Sequence, residues 1–227
     1  HQTYAKKIDH DLLVIAILVE NIRRVASHYR YYENDQGNKL LFAKPYYELE
    51  NNELVLKQCP PDKKPIAEKE LSNSEKKTID KGGRFHMFRK LVIEAGIKDF
   101  VQKSIKYQPL PEYNNPKNPT WLIMRKILEN WIIQQKKQVI LMPIPLYQHI
   151  EENCNASGYQ TRFKELSEAT GCILHDPLTD LQKYSQDERR MFRFDHDIHL
   201  TPKGHEAIAC SLAPVIKKIL KDNCQRS

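Results

Sequence analysis

Two carboxylates and three imidazoles fall within a single short run near the C-terminus: Asp195, His196, Asp197, His199 and His205, in DHDIHLTPKGH. A carboxylate two residues before a histidine, as Asp197 stands before His199, can accept from one ring nitrogen. That bond fixes the tautomer and stabilises the imidazolium, and the other nitrogen can then take a proton from a nucleophile. The same residue types suit a divalent metal, or simply a solvated polar loop. On this run alone all three remain open.

Such groups act only if something rigid holds them. Thr201 is a good N-cap and Pro202 suits the first helical position, where its missing N–H costs nothing. Beyond them Ile208, Leu212, Val215, Ile216 and Ile219 recur at helical spacing, which predicts a buried stripe. Pro214 falls inside that pattern and predicts a kink or a tightened last turn. The candidate groups therefore sit on a short loop ahead of a helix.

Upstream, Leu12 to Val19 is continuously apolar and rich in β-branched residues, which predicts a strand buried on both faces in a parallel sheet. Glu20 and Asn21 follow at its C-terminal end, where open α/β sheets place their ligands. A helix is expected from Asn118 and Pro119 through Gln135, with Met124, Ile127, Leu128, Trp131 and Ile132 on its core face. A second buried strand covers Val139 to Pro145, ended by its prolines. A helix over Gln160 to Thr170 is closed by Gly171, and a third short strand runs from Cys172 to Asp176. This alternation predicts an α/β fold with a parallel sheet.

The whole chain, 1–227, is expected to form one domain with residues 22–118 as an insertion. Within the insertion Tyr29 to Gly37 reads as polar loop. Two alternating runs over Lys44 to Lys57, around Asn51 and Asn52, predict a hairpin. Cys59 to Lys64 reads as a turn and linker. Phe85 to Tyr107 carries helical apolar positions such as Phe88, Leu91, Val92 and Ile97, and Pro109 to Pro119 reads as ordered loop.

The formal net charge of +7 invites a nucleic-acid partner. The lysines, however, are spread along the chain among Glu and Asp, and Tyr29 to Tyr32 is only a weak aromatic-basic cluster, so no nucleic-acid partner is expected. Five widely spaced cysteines without a CxxC pair indicate neither a zinc site nor a disulfide framework. No apolar run approaches the roughly 18 residues of a membrane span. No secretory signal is visible, so the compartment, extracytoplasmic or cytoplasmic, stays open.

A strand ending in Asn21, a later strand ending in Ile144-Pro145, a short strand ending in Asp176, then Asp197-x-His199-Leu-Thr-Pro-x-Gly-His205 and a terminal helix: in this order the blocks resemble the SGNH (GDSL-like) hydrolases. The hairpin Lys44-Pro-Tyr-Tyr-Glu-Leu through Glu53-Leu-Val-Leu resembles an insertion in bacterial members. The resemblance covers most of the chain and implies a three-layer, flavodoxin-like sandwich. It implies His199 as general base, Asp197 as the acid that orients it with Asp195 as the fallback, and Asn21 as an oxyanion donor. It implies an ester or acylated-carbohydrate substrate and neither cofactor nor metal.

Two departures qualify the resemblance. No serine, from Ser27 and Ser72 to Ser185 and Ser211, has the strand-then-turn context of that family's nucleophile, which is therefore expected upstream of His1. Glu20 stands before the Asn where a carboxylate would oppose an oxyanion, so it must point away. A non-catalytic SGNH-like binding protein is the alternative. With a neighbouring strand missing, Leu12 to Val19 would also leave an apolar edge for a partner or another segment to cover.

Overall fold

The computed structural model describes residues 9–80, 107–195 and 199–225. The helices expected over residues 85–107 lie outside the described residues except at their last position, and so does Asp197. In chain order the elements are β1 (Leu12–Leu18), a 3₁₀ turn (Val19–Asn21), α1 (Ile22–Val25), β2 (Tyr29–Glu33), β3 (Lys39–Ala43), β4 (Tyr46–Glu50), β5 (Glu53–Lys57), α2 (Asn73–Lys77) and β6 (Ile79–Asp80). Then come α3 (Pro119–Ile133), β7 (Gln138–Ile144), α4 (Tyr147–Ile150), α5 (Ser157–Thr170), β8 (Ile173–Leu174), α6 (Leu178–Leu181), α7 (Gln186–Arg190) and α8 (Pro202–Cys224). The chain forms two compact units: His1–Val19, Gln102–Pro111 and Glu129–Ser227 make the first, Glu20–Val101 and Glu112–Leu128 the second.

The first unit is built on a parallel three-stranded sheet in the order β1-β7-β8. Leu12 pairs with Gln138 and Leu18 with Ile144, and Ile140 pairs with Ile173. β7 is the central strand, and Val139 to Pro143 are all buried, as expected for a strand covered on both faces. β1 departs from the expectation of burial on both faces: Ile15 alone is buried within it and Ala16 is exposed. The cause is its position, since among the described residues β1 is an edge strand bonded to β7 only. Pro143 does not end β7 but lies inside it, opposite Ile17.

Helix α5 buries Tyr159, Phe163 and Leu166, three and four residues apart, and ends at Gly171, whose φ of 71° is the left-handed conformation that favours glycine. Helix α8 carries the expected stripe, with Ile208 and Ile219 buried and Leu212, Val215 and Ile216 half-buried. The helix continues through Pro214, which sits on its exposed side.

In the second unit β2 pairs antiparallel with β3 and parallel with β6. Residues 29–33 are therefore strand, not the polar loop expected from their composition. Tyr29 and Tyr31 point one way, into a core with Leu41, Leu71 and Ile79, while Arg30 and Tyr32 are exposed. Alternation of this kind is the period-2 signature of a half-buried strand, here written in tyrosines. The expected hairpin is present as β4 and β5, and its turn residues Asn51 and Asn52 have φ of 52° and 65°. Two consecutive positive φ values make a type I′ turn, which Asn tolerates. Helix α3 begins where Asn118 Oδ1 accepts from the backbone N–H groups of Thr120 (2.9 Å) and Trp121 (3.2 Å). Trp121 is buried against Tyr113 at a centroid distance of 5.6 Å.

Candidate active site

His199 lies in the first unit on a tight reversal of chain between α7 and α8. Arg193 and Leu200 form an antiparallel bridge, flanked by Thr201 N–H to Phe192 O (2.9 Å) and Phe194 N–H to His199 O (3.4 Å). The ladder passes directly into α8. Thr201 Oγ1 accepts from Gly204 N–H (3.3 Å), which caps the helix, and donates to Met191 O (2.6 Å), which ties the cap to the C-terminal end of α7. Pro202 occupies the first turn, as expected.

Gly204 is required by close approach. A Cβ at that position would lie 2.5 Å from Phe192 O and 3.2 Å from Phe192 Cα, both backbone atoms that cannot rotate away. Gly204→Ala is expected to destabilise the protein by about 2 kcal/mol, because overpacking outweighs the roughly 1 kcal/mol that Ala gains in helix propensity. Urea denaturation of the variant checks this, and unchanged or raised stability would show that the loop yields freely.

Arg193 ties the bridged segment, and Arg189 the helix α7 before it, to the end of α4 and the turn that follows. Arg193 Nε donates to Glu151 Oε1 at 2.6 Å and its guanidinium lies 4.6 Å from the Tyr147 ring centroid. Arg189 Nη1 donates to Ile150 O (2.9 Å) and Glu152 Oε2 (2.6 Å). Glu151 is buried, so its carboxylate depends on Arg193 for compensation. These contacts join residues about forty positions apart, and no local sequence signal points to them.

His199 and Asp195 are exposed on this loop. Asp197, His196 and Ile198 lie outside the described residues, so the Asp197–His199 bond is not part of the geometry. Asn21 belongs to the second unit, at the end of the 3₁₀ turn that follows β1, with its Oδ1 buried and without a hydrogen-bond partner. Glu20 is half-buried beside it. Each candidate is thus placed within its own unit.

The first unit also holds a serine, a histidine and an aspartate in contact. Ser211 Oγ lies 3.0 Å from His175 Nε2 and donates to Asp180 Oδ2 at 2.7 Å. The polarity is wrong for a nucleophile. Hydrogen bonds from Lys183 and from Ser211 hold the Asp180 carboxyl below its usual range, so it is an ionised acceptor and takes the hydroxyl proton. His175, lowered by burial, then donates its Nε2–H to the serine oxygen. A serine base pair needs the reverse direction. The cluster ties β8 to α6 and α8 and is structural.

His149, a further imidazole, is buried: its Nδ1 accepts from Leu146 N–H (3.2 Å) and its ring lies 5.1 Å from that of Tyr159. Burial pushes its imidazole down to about 4, against a partial rise from its bond to the Asn155 backbone. The unfolded chain binds that proton more readily, so stability is fully present above the unfolded value near 6.5 and falls as pH drops towards 4. The loss is expected to reach about 3 kcal/mol from this group alone. His175 pulls in the same direction. Asp176, raised by burial, pulls in the opposite one. Denaturant midpoints at pH 7 and pH 4.5 test this, because His149→Gln should flatten the profile; an equally steep profile in that variant would exclude His149 as its source.

In the second unit a cleft of about 270 Å³ is lined by His28, Tyr29, Tyr46 and Glu75 among others. The His28 and Tyr46 rings stack at 3.5 Å and Tyr29 Oη donates to Glu75 Oε1 at 2.9 Å. Among the described residues no group of three or more His, Cys, Asp or Glu could hold a metal ion, and no helix is long and apolar enough to cross a membrane. Compared with known proteins, the chain matches no family model, no curated protein and no solved structure.

Proposed function

We propose that this chain is part of an SGNH-type, flavodoxin-like ester hydrolase or O-acyl transfer enzyme. His199 takes the proton of a serine hydroxyl as that oxygen attacks the acyl carbon, and returns it to the leaving alcohol. Asp197 orients the imidazole, Asn21 donates to the oxyanion, and no metal takes part. An acylated carbohydrate is the substrate class that goes with this resemblance.

One observation carries the reading: His199 adjoins an antiparallel bridge tied at one end into a capped helix and held from the side by the Arg193–Glu151 pair. A solvated loop needs no such construction, whereas a general base must be held within a fraction of an ångström of its proton donor. The parallel sheet with an apolar strand leading directly to Asn21 supports it further. Treating the full-length protein with a serine-directed fluorophosphonate tests the proposal. Covalent labelling of one serine is expected; no labelling would leave the binding-protein alternative.

A further inference from the structure

The ladder that carries His199 also fixes which residue stands beside it. Arg193 is bridged to Leu200, and the Phe194 N–H bonds to His199 O, so Phe194 lies directly across from His199. Opposed residues of an antiparallel pair share a face, with Cβ atoms about 4.5–5.5 Å apart. Phe194 is 48% exposed, and Met191, at the C-cap of α7 three residues earlier, is 50% exposed. A large apolar side chain thus stays in water opposite a candidate general base, although Phe192, two residues earlier, is fully buried. The arginine clamps hold this segment, so the exposure of Phe194 belongs to an ordered position.

From this we infer that Phe194 is a specificity-determining residue: its ring is the apolar wall against which the alcohol portion of the ester lies. The inference rests on the hydrolase reading and deepens it. An imidazole that returns a proton to a leaving oxygen must be within hydrogen-bond reach of that oxygen. The carbon substituent on the oxygen then lies on the side of the imidazole where the opposed residue stands, and in this register that residue is Phe194. The acyl group, on the far side of the scissile bond, does not reach it. The preferred substrates are therefore esters whose alcohol presents an apolar face of several carbons, a ring above all, and selection acts on the alcohol more than on the acyl group.

Benzyl acetate and methyl acetate share an acyl group and differ only in the alcohol, so they isolate the effect. Saturation-transfer NMR on the full-length protein should show transfer to the benzyl protons and little to methyl acetate. Phe194→Ser should reduce the benzyl signal to that background, whereas Phe194→Leu, which keeps an apolar side chain, should retain most of it. Absence of transfer in the unaltered protein, or transfer that survives Phe194→Ser in full, overturns the inference. Benzyl alcohol released in the same tube reports separately on the hydrolase reading. Where turnover occurs, benzyl acetate should be preferred by about tenfold or more in kcat/KM, a preference lost in Phe194→Ser.

Discussion

His199→Ala in the full-length protein is expected to slow fluorophosphonate labelling on the order of 10⁴-fold or more, while leaving the fold intact. A serine hydroxyl is a weak nucleophile near neutral pH, and an adjacent base raises its reactivity by removing the proton as the bond forms. Removing one member of such a unit costs nearly as much as removing all of it. The fold of the variant is checked by its denaturant midpoint, with the backbone bond from Phe194 N–H to His199 O retained. The carboxylates separate the two candidate orienters. Asp197→Asn should cost about 10⁴-fold through a misplaced tautomer, whereas Asp195→Asn should cost little. If His199→Ala labels as fast as the parent, the general-base role is wrong whatever serine is labelled.

Arg193→Ala is the largest stability loss expected, about 3 kcal/mol. Glu151 is buried, and its partner guanidinium, at 2.6 Å, is itself only partly exposed. A lone buried carboxylate has no comparable source of solvation, and breaking one side of a buried pair typically costs about 3–5 kcal/mol. Arg193 also covers the Tyr147 ring, so Arg193→Lys should fall between the parent and the alanine variant. Removing both charges, as in Arg193→Met with Glu151→Leu, should recover much of the loss. Denaturant titrations of the single and double variants measure this directly. A loss below about 1 kcal/mol for Arg193→Ala would mean that water already reaches Glu151. Because the pair anchors the ladder, Arg193 is a positioning residue in the hydrolase reading, and its loss should slow labelling as well.

Legibility differed by the range of the interactions involved. The stripe of α8, the buried run of β7, the Gly171 cap and the Asn51–Asn52 turn all follow from local rules, and each is visible within a few residues. β2 was obscured because tyrosine serves both core and surface: Tyr29 and Tyr31 are packed while Tyr32 is exposed. The half-exposure of β1 could not be read from its composition, since a strand's neighbours are set by topology and not by its own residues. The arginine clamps and the Ser211–His175–Asp180 cluster join positions between 31 and 42 apart, where no periodicity reports contact. The T-P-x-G spacing, by contrast, is explained by the structure: Gly204 is there because the Phe192 backbone passes through the space a side chain would fill.

The outer rim of β1 has a consequence for how this molecule behaves in company. Along its seven residues the amides and carbonyls that do not bond to β7 point to the other side, and among the described residues β1 is bonded to no further strand. An extended peptide laid parallel against that rim would continue the hydrogen-bond lattice and shield Leu13 and Ile17 from water. Whichever polypeptide fills it also steadies β1, so association and the stability of the sheet would rise together.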